Sequence, residues 1–244
     1  GLTGESFNAL AALERFYGRA WFNLGDRDLA THLFRTDRMR AGWRLSRVTA
    51  EIACRLGVRA HVIPMSDEPV RTFVKLRGRP AMPFQEYFVR RRFRGVVERI
   101  DLRGAARARP LGAALTAIRR SAAVIIAPSN PFVSIGPILA LGQIRPAMRR
   151  VRARVAAISP IVGGKAIKGP ADRMLRSLGH EPSALGVARL YRDICSVFVM
   201  DNADRSTAPE VEKMGMRAVI TDTIMADPKR AARLANVVLR ALEV

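Results

Sequence analysis

Lysine is scarce in this chain. Of its 42 basic residues only five are lysines, Lys75, Lys165, Lys168, Lys213 and Lys229, and against 21 acidic residues the net charge is +21. The arginines are spread along the whole length, with short clusters such as VRRRFRG at 89–95. A charge of this size invites a nucleic-acid role. Scattered arginines without an aromatic stacking platform argue against it, since aromatics make up only 6% of the chain. The same field would favour an anionic small molecule.

Cysteine is nearly absent as well. Cys54 and Cys195 sit in apolar segments, which excludes a disulfide framework and predicts buried thiols in a reducing compartment, the cytoplasm. No apolar run approaches the length of a membrane span. The opening residues show no basic segment followed by an apolar block, so no secretory signal is read there. The three histidines, His32, His61 and His180, lie far apart, and none has a Cys or Glu at metal-ligand spacing. Neither a nucleophile elbow, a Walker A pattern nor a dinucleotide fingerprint is present.

What is present is an alternation of amphipathic helices and apolar strands in a chain that is 49% hydrophobic, enough for one large domain over residues 1–244. Helices are expected at 6–17 (Ser6 cap, Gly18 stop), 28–36 (Asp28 cap), 45–57 (Ser46 cap, Gly57 stop) and 111–121. Others follow at 138–151, broken near Pro146, from about 170, and at 227–244 with Asp227 as cap and Pro228 behind it. Strands are expected at 20–24, 59–65, 122–128, 154–159, 196–201 and 217–222, with an antiparallel pair within 71–89. Strands that do not alternate, interleaved with helices, imply an α/β fold: a mostly parallel sheet with helices on both faces and an antiparallel hairpin insertion.

In such sheets ligands bind at the carboxyl ends of the strands. Small and polar residues gather there: Met65-Ser66-Asp67, Pro128-Ser129-Asn130-Pro131, Ser159-Pro160 with Gly163 and Gly164, Asp201, and Asp222-Thr223. The stretch SPIVGGKAIKGPADRM (159–174) combines close-approach glycines with Lys165, Lys168 and a helix start, which is the shape of a phosphate cradle or of a plain strand-to-helix connection. APSNPFVSIGPIL (127–139) offers Ser129, Asn130 and Ser134 in a proline-stiffened loop, or a turn with Ser134 capping the next helix. PMSDEPVRT (64–72) reads first as a capped turn into the hairpin. Asp201 and Asp204 read as a helix start before a metal site, and Met65, Met174 and Met225 as packing residues.

Taken in order, LGDRDLATHLFRT, IPMSDEPVRT, FQEYFVR, APSNPFVSIGPIL, SPIVGGKAIKGPADRML and GVARLYRD make the whole chain resemble the 2-phospho-L-lactate transferase family of coenzyme F-420 biosynthesis. The resemblance implies a Rossmann-like homodimer. It also implies an enzyme that moves phospholactate or phosphoenolpyruvate from a guanosine-diphosphate-activated donor to the terminal hydroxyl of the deazaflavin Fo, releasing GMP with Mg²⁺ present. Carried onto matching motifs, it implies Asp26, Arg27, Met65 and Ser66 at the deazaflavin. At the nucleotide and phosphates it implies Ser129, Asn130, Gly163, Gly164 and Lys168. Arg27 and Lys168 are the cationic candidates; no general base and no metal ligand is identified.

One departure matters. Family members begin with a strand, a glycine-rich phosphate loop and an aspartate-containing segment, and this chain starts downstream of them. The Mg²⁺ ligands are expected in that segment, and the 244 residues by themselves are expected to show little or no transfer. Two rival readings remain at this point, a basic nucleic-acid-binding protein and a non-catalytic nucleotide-sugar-binding relative.

Overall fold

The computed structural model describes residues 4–244. Three helices come first, α1 (Asn8–Tyr17), α2 (Asp26–Arg40) and α3 (Leu45–Arg55). Their apolar positions repeat at helical spacing, yet α1 and α2 bury no residue and α3 buries only Val48. Their caps are not those expected. Phe7, Gly25 and Arg44 hold the N-cap positions, and none of them bonds the helix with its side chain. Acidic residues cap from a distance instead. The Asp26 carboxylate accepts the Asn8 and Ala9 N–H groups at 3.1 and 3.0 Å and the Ser6 hydroxyl at 2.7 Å. Asp67 does the same for α3, accepting the Ser46 N–H at 2.7 Å and its hydroxyl at 3.1 Å. A carboxylate there satisfies donors the helix cannot pair and meets the positive end of its dipole. Gly57 stops α3 as expected, with φ +67° and the following Val58 N–H returning to the Ala53 carbonyl at 2.9 Å.

Two expected strands are not formed. Residues 20–24 and 59–65 carry no ladder to any described residue. Apolar composition suits a strand, but a strand exists only where a neighbour pairs its N–H and C=O groups. Trp21 and Phe22 instead meet edge to face at 4.9 Å.

The hairpin region forms a three-stranded antiparallel sheet of β1 (Arg71–Leu76), β2 (Met82–Pro83) and β3 (Val97–Arg103), in the order β2-β1-β3. The expected pair is β1 with β2. It is cut short because the chain enters a π-helical turn at Glu86–Arg90, and β3, unread in the sequence, is the longer partner of β1. Then come α4 (Gly112–Arg120), β4 (Val124–Ile126), a second π-helical turn (Pro131–Ile135), α5 (Gly136–Leu139) and α6 (Ile144–Arg150). The helix break falls at 140–143 and not at Pro146. Pro146 lies in the first turn of α6, where a missing N–H costs nothing.

The remaining elements are β5 (Val155–Ile158), a small hairpin of β6 (Ile161–Val162) and β7 (Lys165–Ala166), α7 (Ala171–Ser177) and α8 (Ala184–Tyr191). After them come β8 (Val197–Asp201), a 3₁₀ turn (Asn202–Thr207), α9 (Ala208–Lys213), β9 (Arg217–Thr221) and α10 (Pro228–Ala241). Asp227 caps α10 as expected, accepting the Arg230 N–H at 2.8 Å. In α8, Ser183 is the cap, and Gly186 is forced: a Cβ there would lie 1.9 Å from the Glu181 carbonyl oxygen. Asp193, just beyond α8, accepts two bonds from Arg145 at 2.9 and 2.5 Å and one from Arg149 at 2.7 Å, tying α6 to α8.

β4, β5, β8 and β9 form a parallel sheet in chain order. With right-handed crossovers, an unreversed order puts every connecting helix on one face. Val155, Ala157, Phe198 and Met200 point to that face and pack with Ile144 and Met148 of α6, Val187 of α8 and Val211 of α9. Ala156, Ile158, Val197 and Val199 point the other way, onto Leu234 and Val238 of α10. Strands buried on both sides explain the unbroken apolar runs. A separate cluster of Val74, Leu76, Met82, Tyr87 and Val97 takes Met174 of α7 into its centre, which docks the antiparallel sheet beside the parallel one. Cys195 is buried as expected; Cys54 is exposed, because α3 turns that face to solvent.

Candidate functional site

The loops that follow β4, β5 and β9 leave a cleft of about 530 Å³ at the carboxyl end of the parallel sheet. Pro128, Ser129, Asn130, Val133 and Ser134 form its first wall, Ser159, Pro160, Val162 and the run 167–171 the second, and residues 223–226 the third. Phe84 and Phe88 close it from the antiparallel side.

Each wall has a local cause. The Asn130 side-chain oxygen Oδ1 accepts the Phe132 and Val133 N–H groups at 2.9 and 3.3 Å, so Asn130, not Ser134, caps the turn. Its amide N–H₂ reaches the Met174 sulfur at 3.3 Å. Ser159, buried at the end of β5, accepts the Ile161 N–H at 3.1 Å and donates to the Ile161 carbonyl at 2.9 Å, which starts the small hairpin. Gly163 and Gly164 turn that hairpin with φ of +55° and +77°, as a two-residue connection with both centres left-handed requires.

Two aspartates at the end of β8 lie behind the walls. Asp201 accepts the Thr223 N–H at 2.9 Å, the Thr223 hydroxyl at 3.2 Å and the Ala203 N–H at 3.0 Å. Burial alone would raise its pKa, but these hydrogen bonds outweigh it and hold the carboxyl below the usual carboxylate range. Asp204 accepts only the Gly163 N–H, at 3.2 Å. Burial pushes it upward, the Asp201 charge adds to this, and the Gly163 bond offsets part of it. One carboxylate holds the β9 loop and the other holds the glycine turn.

Of the positions singled out from sequence, Ser129, Asn130 and Lys168 line this cleft, while Gly163 and Gly164 are not among its lining residues. Asp26, Arg27, Met65 and Ser66 lie elsewhere. The Asp26 carboxylate caps α1, and the Arg27 N–H donates to Glu5 at 2.8 Å. The Ser66 hydroxyl donates to Glu68 at 2.6 Å, and Met65 packs on the main core. His32 stays structural, bonded to Arg35 one turn on. Met174 is a packing residue as expected, but Met225 is half-exposed on the cleft wall. Phe84 and Phe88 were not picked out; only the docking of the two sheets brings them here.

Lys168 is the one charged residue among those lining the cleft, and it has no ion pair or hydrogen bond to any described residue. Ser129 and Ser134 line the same space. The cleft thus offers a ligand one cation with hydroxyl-bearing residues beside it. For the Mg²⁺ that the resemblance implies, the described residues do not supply a holder. No carboxylate lines the cleft, no group of three metal-ligating side chains occurs among them, and Asp201 is engaged by three donors. No helix among the described residues is long and apolar enough to cross a membrane.

Comparison with known proteins agrees with this architecture. A crystal structure of a Bacillus halodurans protein superposes with a TM-score of 0.63 at 16% identity, covering 93% of this chain and 75% of its own, which shows the shared fold. The 2-phospho-L-lactate transferase of Methanosarcina mazei is 33% identical over 241 residues, 99% of this chain and 78% of its own. The phosphoenolpyruvate transferase of Kitasatospora aureofaciens is 37% identical over 248 residues, 100% of this chain and 77% of its own. The family model described as 2-phospho-L-lactate transferase CofD matches residues 5–239. With a family match over residues 5–239 and relatives above 30% identity, the chain belongs to the CofD family of 2-phospho-L-lactate transferases.

Proposed function

We propose that the cleft holds the phosphate-bearing donor of this enzyme, a 2-phospho-L-lactate or phosphoenolpyruvate transferase of coenzyme F-420 biosynthesis. The observation that carries this placement is the lone, unpaired Lys168 in a cleft without acidic residues. Transfer between phosphate esters depends on neutralising phosphate charge and holding the incoming hydroxyl in line, so positioning and electrostatics dominate. Lys168 supplies the neutralisation. Ser129, Ser134 and the Asn130 amide orient polar atoms of the donor, and Val133, Ile167 and Ile224 keep water from the phosphates. Mg²⁺, when bound, would supply further charge neutralisation.

The deazaflavin Fo is the acceptor in this proposal, with Asp26, Arg27, Met65 and Ser66 at its end of the site and Gly163 and Gly164 shaping the nucleotide end from behind. The assembly is proposed as a cytoplasmic homodimer, which the exposed apolar side chains of α1 support and light scattering tests.

Lys168→Met tests the placement. A charge-assisted hydrogen bond contributes about 1.5–3 kcal/mol, so GDP affinity by calorimetry should fall roughly 10- to 100-fold with an unchanged melting temperature. Equal GDP affinity in the variant refutes it. In parallel, Fo fluorescence should saturate on titration, with and without GDP.

A further inference from the structure

Both π-helical turns among the described residues border the same cleft. One, Pro131–Ile135, carries Val133 and Ser134; the other, Glu86–Arg90, carries Phe88. Such turns are rare and recur at functional sites. Directly after the second, Arg92 and Phe93 hold φ of +49° and +48°. Successive residues with a Cβ avoid that left-handed region unless the surroundings enforce it.

The enforcing residue is Tyr87. It is 1% exposed in the core of the antiparallel sheet, and its hydroxyl donates to the Phe93 carbonyl at 3.2 Å while the Phe93 N–H returns to the Tyr87 carbonyl at 2.9 Å. With Tyr87 pinned inward, its neighbour Phe88 is turned out to the cleft, 36% exposed. Its ring stands 5.4 Å from Phe84 and 5.6 Å from Phe93. The loop carrying Lys168 passes close by: a Cβ on Gly169 would sit 3.7 Å from Phe88 Cε2. An aromatic surface is thus held open to the cleft by strained backbone, one residue from its only cation.

We infer that Phe84 and Phe88 form a stacking wall for the planar fused heterocycle of a substrate bound in this cleft, beside the phosphate held at Lys168. This rests on the reading of the cleft as the substrate site. A flat π-system on aromatic rings gains more than burial alone provides. Both substrates proposed for this enzyme contain such a ring, guanine in the donor and the deazaflavin in the acceptor, so the experiment separates the two.

Phe88→Leu keeps an apolar side chain and removes the ring; Phe88→Tyr keeps the ring. Each is titrated with GDP by calorimetry and with Fo by fluorescence, and its melting temperature is recorded. Phe88→Leu should weaken one of the two ligands at least fivefold without lowering the melting temperature, and Phe88→Tyr should bind within twofold of the original protein. The ligand affected identifies the ring. Phe84→Leu should weaken the same ligand. Unchanged binding of both ligands in Phe88→Leu overturns the wall. So does an equal loss in the Leu and Tyr variants, which marks simple packing. An unsubstituted protein that binds neither ligand overturns the cleft assignment itself, and the wall with it.

Discussion

Two cysteines of the same chemistry stand at opposite extremes of environment. Cys195 is fully buried, and burial pushes its thiol up to about 12, with its Sγ–H directed to the Tyr191 carbonyl at 3.4 Å. Cys54 faces solvent on α3. Only a thiolate attacks a disulfide reagent, so Cys195 should be silent at pH 8. A colorimetric thiol assay on the native protein should count one fast cysteine, and two after unfolding; two fast thiols in the native state contradict this. Residues are also where the sequence was hardest to read. Asp26 was legible as polar and strategically placed at a bend, but what it does is decided by α1 packing above it, a partner 17 and 18 residues earlier in the chain. Lys168 was legible because a lysine in a glycine-rich loop is rare in a chain of arginines. Phe88 was not, since an aromatic next to a buried tyrosine reads as core until the backbone turn is known.

The end of β8 is an element-level device with two opposite pH signs. Asp201 has a depressed folded-state pKa, so its contribution to stability is present above the unfolded value near 4 and is lost as pH falls through the folded value. Asp204 has a raised pKa, so the folded state holds its proton longer, and stability declines as pH rises from the unfolded value through the folded one. Asp201→Asn should therefore lower urea stability at pH 7, with the difference shrinking toward pH 3. Asp204→Asn, which keeps an acceptor for Gly163, should equal or exceed the original protein at pH 7. A destabilised Asp204→Asn protein at pH 7 would contradict this account. Among elements, the parallel strands at 154–159, 196–201 and 217–222 were readable because burial on both faces leaves an uninterrupted apolar run. The segments 20–24 and 59–65 have the same composition and no ladder, because composition reports burial and not pairing. β3 escaped notice since VERIDLR breaks the alternation of a half-buried strand at the adjacent charges Glu98 and Arg99, and buries only Val97.

At the scale of the molecule, stability is unevenly distributed. The parallel sheet is buried from both sides, whereas α1 and α2 contribute no buried residue, and Phe16, Tyr17 and Leu33 are largely exposed. Regions with few buried apolar contacts open at low free-energy cost. Amide hydrogen exchange followed by mass spectrometry should label peptides from 8–40 within seconds to minutes, while those of β5 and β8 stay protected for hours. Equal protection would show that something covers these helices in solution. The architecture itself, parallel strands with alternating helices, was legible from order alone. That helices on the two faces are unequal in number was not, since it follows from the strand order.

That inequality has a consequence in time. The helices on the crowded face are made between the strands, so each strand emerges from the ribosome with its cover already synthesised or about to be. The opposite face has α10 as its only described helix, and α10 follows β9 in the chain. Until residues 228–241 have been translated, Ala156, Ile158, Val197 and Val199 lack Leu234 and Val238, their helical partners among the described residues. Even afterwards α10 does not reach Ile125 on β4, which stays 39% exposed. During synthesis this face of the sheet waits for α10, a helix made after β9, and that interval is when a chaperone would matter most.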